Sequence, residues 1–118
     1  MHAYLQDQRL RKEERLLTKA DFDRVFEQGT SAGNKRLIIH WCANDLGHPR
    51  VGLVVSKRFG NAVARNKWKR RIRDIFRRNK AAAGGRDIVV LPGKRDEART
   101  ATHDELSDAW LALLKRIG

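Results

Sequence analysis

Residues 57–80 constrain this chain more than any other stretch. They hold eleven basic side chains (Lys57, Arg58, Arg65, Lys67, Lys69, Arg70, Arg71, Arg73, Arg77, Arg78 and Lys80) and a single acid, Asp74. Through them runs an apolar stripe of Ala64, Trp68, Ile72, Ile75 and Phe76, spaced as one face of a helix. Asn61 suits the N-cap, so the pattern predicts a helix from there to about Asn79. Such a helix lays its stripe on a core and turns its cations to water. Arg65, Lys69 and Arg73 recur every four residues and are expected to form one exposed ridge, flanked by Asn66, Arg70 and Arg77.

The remaining elements fit around that helix. Thr18 and Asp21 have the spacing of a capping box, opening a helix that puts Phe22, Val25 and Phe26 on one face. Gly29 is expected to end it in a left-handed stop. Residues 36–43 alternate as a strand, with Leu37, Ile39, Trp41 and Ala43 on one side and Ile38, His40 and Cys42 on the other. Asn44–Pro49 has turn chemistry and predicts a hairpin to a strand over 50–56, whose outer side carries only Gly52, Val54 and Ser56. Residues 86–91 read as a third, apolar strand. Thr102 and Glu105 form a second capping box, before a helix burying Leu106, Ala109, Trp110, Leu113 and Ile117. This order predicts an α+β (α/β sandwich) domain with one sheet, over residues 15–118, after a flexible segment over 1–14. The strand–helix–strand unit over 50–91 suggests a parallel pair, right-handed by default.

Charge then bounds the function. Lys and Arg number 26 against 14 Asp and Glu, a net +12. Eleven bases less one acid put +10 of it in the stretch 57–80. A concentrated positive field captures polyanions, nucleic acid first and an anionic membrane surface second. A helix embedded in a folded domain argues against the membrane, and the longest apolar runs are too short to span one. Cys42 is the only cysteine, which rules out an internal disulfide, and the N-terminus lacks a secretory pattern. A cytoplasmic location is expected. Neither a Gly-rich phosphate loop nor a histidine–acid cluster at nuclease spacing appears; His2, His48 and His103 are scattered.

The run Lys57-Arg-Phe-Gly-Asn-Ala-Val-Ala-Arg-Asn-Lys-Trp-Lys-Arg-Arg-Ile-Arg-Asp-Ile-Phe76 resembles the signature of the protein subunit of bacterial ribonuclease P. Arg15-Leu-Leu-Thr-Lys-Ala-Asp-Phe-Asp-Arg-Val-Phe-Glu-Gln-Gly29 is similar to that family's N-terminal helix. The resemblance covers about residues 9–117 and implies removal of the 5′ leader from precursor transfer RNA. It also implies a left-handed crossover before the last strand, against the default. Mg²⁺ would serve the catalytic RNA, with no metal bound by this chain and no catalytic residue on it. The partners implied are ribonuclease P RNA and the precursor's leader, with no obligatory protein partner.

Carried onto this sequence, Phe22 and Phe26 would floor a leader cleft, with Ser56 and Lys57 in its wall and His40 beside it. Lys57, Arg58, Asn61, Arg65, Asn66, Lys67, Lys69, Arg70 and Arg73 would face RNA. Two positions depart from the family. Its arginine–asparagine–arginine triplet reads Arg65-Asn66-Lys67 here, and an aromatic residue common in its second strand is His40. From the residues alone, Phe22 and Phe26 read as core more readily than as RNA platforms, and His40 reads as structural as readily as an RNA contact. A ribosomal-type RNA binder and an independent metal nuclease are the competing functions.

Overall fold

The computed structural model describes residues 10–117. Four strands, β1 (Thr30–Gly33), β2 (Leu37–Ala43), β3 (Arg50–Leu53) and β4 (Arg86–Pro92), form one sheet in the order β1-β2-β4-β3. β1–β2 and β2–β4 run antiparallel, while β3–β4 is parallel. Five α-helical segments surround it: α1 (Lys19–Gln28), α2 (Ala62–Arg78), α3 (Lys80–Ala83), α4 (Glu97–Thr100) and α5 (His103–Ile117). Single 3-10 turns occupy Lys12–Glu14 and Lys57–Phe59.

β4 lies inside the sheet, between β2 and β3. Ile88, Val89 and Val90 are all fully buried, as a strand covered on both faces requires. On one face Leu37, Ile39, Val51, Ile88 and Val90 meet Trp68, Ile72, Ile75 and Phe76 of α2 and Leu106, Trp110 and Leu113 of α5. The Phe76 and Trp110 rings meet edge-on at 6.2 Å. On the other face Val89 packs with Leu16, Val25 and Phe22, so α1 lies across the opposite side of the sheet from α2.

The expected hairpin from β2 to β3 does not form. β4 lies between them, and the residues after β2 cross the end of β4 instead of turning back. Asn44 N–H donates to Gly85 O at 3.0 Å, while Asn44 Nδ2 donates to His48 O and to Asp87 Oδ1. The hairpin that does form joins β2 to β1. Its turn is held by Asn34 Oδ1, which accepts from Arg36 N and Leu37 N at 3.0 Å. The strand expected over 50–56 ends at Leu53.

The caps came through unequally. Asn61 Oδ1 accepts from Ala64 N at 2.9 Å. At α5 the box is reciprocal, Glu105 N donating to Thr102 Oγ1 and Thr102 N to Glu105 Oε1. At α1 only Thr18 Oγ1 takes part, accepting from Asp21 N, because the Asp21 carboxylate turns to Arg50, 3.7 Å away. Gly29 is extended (φ −86°), not left-handed. It is needed for space, since a Cβ there would lie 2.3 Å from Val25 O and 2.5 Å from Trp41 O.

The flexible segment expected over 1–14 lies, for residues 1–9, outside the described residues. Residues 10–14 are docked. Leu10 is buried in the main core, and Glu14 takes an ion pair from Lys80 at 2.5 Å. Burial alone would raise the Glu14 carboxyl, but Lys80 and the Arg11 amide hold it below its usual range.

Candidate nucleic-acid interface

The sheet face beneath α1 is only half covered. Strand alternation and register put Cys42, His40 and Ile38 of β2 beside Asp87, Val89 and Leu91 of β4 on that face. Gly52 and Arg50 of β3 stand beside Val89 and Asp87. α1 covers the end carrying Asp87, Val89 and Gly52. The Phe22 ring lies against Gly52, where a Cβ would come within 2.5 Å of it. The glycine that seemed to leave this surface open is therefore what lets α1 sit down.

Beyond α1 the same face opens into a groove of about 540 Å³. Ile38, Val54 and Leu91 make its apolar floor, and Ser56, Arg58, Lys94 and Arg95 stand on its rim. Outside that lining but on the same sheet face, Phe26 is 41% exposed, with its ring edge-on to His40 at 4.8 Å between centroids. Burial pushes the His40 imidazole below its ordinary pKa, which favours the neutral ring at pH 7. An exposed phenyl ring, a neutral imidazole and an aliphatic floor can take unpaired bases, and the cations on the rim can take their phosphates.

The sequence-derived site residues divide between two surfaces. Ser56 and Arg58 line the groove. Phe26 and His40 pair on the same sheet face, His40 two residues along β2 from the groove residue Ile38, and Phe22 is half-buried against Gly52. Lys57 is exposed in the same turn but does not line the groove. Asn61 spends its side-chain oxygen on the α2 cap. The residues of α2 lie behind the sheet from α1, so they form a second surface.

On that second surface the expected ridge is displaced. Asn66, Lys67 and Arg70 are exposed, whereas Arg65 and Lys69 are half-buried. At 100° per residue, Asn66 and Arg70 stand opposite the Trp68/Ile72/Ile75 stripe and form the crest. Arg73 stands exposed beside that crest, while Arg65 and Lys69 form a shoulder beside the stripe. On the other shoulder Arg71 Nη1 donates to Ala101 O, and His103 Nε2 lies 2.9 Å from Asp74 Oδ2. Asp74 also pairs with Arg77 and Arg78. Among the described residues none of Lys57, Arg58, Arg65, Lys67, Lys69, Arg70 and Arg73 has a carboxylate partner. Partial desolvation, and then the nearby charge of Arg15, lower the Arg73 pKa, so a bound anion would relieve a repulsion.

Four contributors were missed. Ile38 was legible as sharing a strand face with His40. Lys94 and Arg95 form a visible basic pair, but only the position of β4 beside β3 brings them to Val54. Arg15 lay in a stretch with little net charge, and its approach to Arg73 is purely tertiary. No three His, Cys, Asp or Glu side chains converge as a metal site among the described residues, and no described helix is long and apolar enough to cross a membrane.

Comparison with known proteins agrees with this geometry. The family profile described as Ribonuclease P matches residues 10–118. The ribonuclease P protein component of Thermotoga maritima is 40% identical over 109 residues, spanning 90% of this chain and 93% of that protein. The Staphylococcus aureus protein component is 36% identical over 107 residues, 90% of each. Among solved structures, the Thermotoga maritima RNase P protein superposes with a TM-score of 0.81 at 40% identity, covering 89% of this chain and 98% of that one. A Staphylococcus aureus RNase P protein structure gives 0.79 at 35%, covering 88% and 94%.

Proposed function

Because the chain belongs to the ribonuclease P protein family, we propose that its half-open sheet face holds the 5′ leader of precursor transfer RNA while its cationic helix grips the catalytic RNA. It is the protein component of an endoribonuclease holoenzyme that matures transfer RNA 5′ ends, with the catalytic centre in the RNA. Its RNA partner follows from that membership.

The observation that carries the finer reading is the division into two surfaces on opposite sides of one sheet. The α2 crest and shoulder hold unpaired cations suited to phosphates of a folded RNA. The groove sets an aliphatic floor among Arg58, Lys94 and Arg95, with the Phe26–His40 pair on the same sheet face, which suits a single strand passing in extended form. Each surface can be occupied without blocking the other. The protein then offsets repulsion between two polyanions and favours a substrate that still has its leader. Mg²⁺ serves the RNA partner, and the protein lowers the concentration that partner needs. The site of action is the cytoplasm.

Reconstitution tests this. Protein, ribonuclease P RNA and labelled precursor are combined at low Mg²⁺. Correct 5′ cleavage is expected only when protein and RNA are both present, with a lower KM for precursor bearing a leader of several nucleotides than for one bearing a single nucleotide. Equal KM values for the two substrates would remove the leader from the groove.

A further inference from the structure

One carboxylate lies beneath α1. Asp87 is fully buried and is the acceptor at the centre of three donors. Arg50 gives it two bonds, Nε at 2.9 Å and Nη2 at 2.7 Å. Asn44 Nδ2 gives a third at 2.8 Å, and Arg24 Nη2 a fourth. Arg24 comes from α1, and its other terminal nitrogen donates to Cys42 Sγ at 3.0 Å. Asp21, one turn earlier, lies 3.7 Å from Arg50. A buried carboxylate with four charge-assisted or amide bonds has one geometry open to it.

The placement of these groups on α1 matters. At 100° per residue, Val25 is the line of deepest burial, fully inaccessible. Arg24 and Asp21 lie on one flank of it, and Phe22 and Phe26 on the other. The charged flank is tied to Asp87 and Arg50, while the aromatic flank ends at the His40 contact and the open groove. A short helix resting on one apolar line can roll about that line. The tie on one flank sets the roll, and so sets where Phe26 presents its ring.

We infer that Asp87 and Arg24 are positioning residues for leader recognition: a buried ionic clamp that fixes the rotation of α1 and thereby holds Phe26 against His40 on the sheet face shared with the groove. This rests on the leader reading of the groove. The clamp touches neither RNA, so its loss acts on KM for leader-bearing substrate and not on binding of the catalytic RNA.

The test uses the reconstituted holoenzyme. Arg24→Met keeps a stem of similar length and leaves Asp87 bonded to Arg50 and Asn44. It is expected to raise KM for a precursor with a leader of several nucleotides by about 5- to 150-fold, the equivalent of losing one base–aromatic stack. The precursor with one leader nucleotide should keep its KM, kcat should be unchanged, and affinity for ribonuclease P RNA should stay at the wild-type value. The His40 ring resonances of the free protein should move as Phe26 shifts. Arg24→Lys, which keeps the charge but not the fork, should give a smaller rise in KM, and it carries the test if the Met variant does not fold. Phe26→Ala runs alongside. If Phe26→Ala abolishes leader preference while folded Arg24→Met and Arg24→Lys retain it in full, the clamp has no positioning role. If Phe26→Ala itself leaves leader preference intact, the groove reading falls and the clamp inference with it.

Discussion

Single side chains on α2 differ in what they can contribute, because the helix turns some to water and others towards the body of the protein. Arg70 stands on the crest, and Arg65 on a half-buried shoulder. Each should neutralise about one phosphate, so Arg65→Ala and Arg70→Ala should each weaken RNA binding and lower the slope of log K against log salt by about one unit. A titration series at several ionic strengths reads this, and an unchanged slope removes that residue from the interface. On the sheet face shared with the groove, Phe26→Ala should cost about 1–3 kcal/mol of leader binding through lost stacking, measured as the difference between leader-bearing and leaderless substrates. His40 adds a pH dependence. Burial lowers its folded pKa below the ordinary 6.5, so as pH falls through 6.5 the unfolded chain binds the proton first and stability drops. Denaturant unfolding at pH 7 and pH 5 should show this loss, and His40→Gln should abolish that part of it.

Secondary-structure elements are joined at a few tight places, and these predict where the fold is sensitive. Gly29 links α1 to β1 under the carbonyls of Val25 and Trp41. Gly29→Ala must push one of them aside, so it should lower Tm although the backbone there is not left-handed. Gly52→Ala meets the Phe22 ring and should loosen α1 more than the main core. The reciprocal box at α5 makes Thr102→Ala cost about 1 kcal/mol, whereas Thr18→Ala should cost less, since Asp21 turns to Arg50 and the box at α1 is half made. Paired thermal melts of the two threonine variants decide whether the reciprocal bond matters. Helix periods and caps were legible because they depend on residues within four of one another. Strand partners were not, because the turn residues of 44–49 suit a hairpin as well as the crossing over β4 that they actually make.

At the scale of the whole molecule, four carboxyls among the described residues are held below their ordinary range. Burial raises Asp87 and Asp74, but hydrogen bonds from Arg50 and Asn44 to the first, and from His103, Arg78 and Arg77 to the second, outweigh it. The Thr102 amide and Arg36 lower Glu105, and Lys80 helps to lower Glu14. A depressed acid contributes stability above its unfolded pKa and loses it as pH falls through the folded one. The fold should therefore weaken below about pH 4, most through Asp87, whose protonation takes the charged acceptor away from Arg50 and Arg24. Acid unfolding of Asp87→Asn should be flatter than wild type, with lower stability at pH 7.

Local chemistry settled helices α1, α2 and α5, the caps of α2 and α5, the alternation that puts His40 beside Ile38 and Cys42, and the concentration of cations on one helix. All of these follow from residue type at short spacing, and so did the family resemblance. Tertiary structure alone decided that β4 enters between β2 and β3, that α1 and α2 take opposite faces, and that Arg24 and Arg50 converge on Asp87. Those outcomes depend on which distant surfaces bury each other, and the energy that selects them is spread over the sheet and is not written in any one stretch of chain. The groove belongs with them. Its walls come from residues 38 to 99 and meet only once the parallel strand is in place.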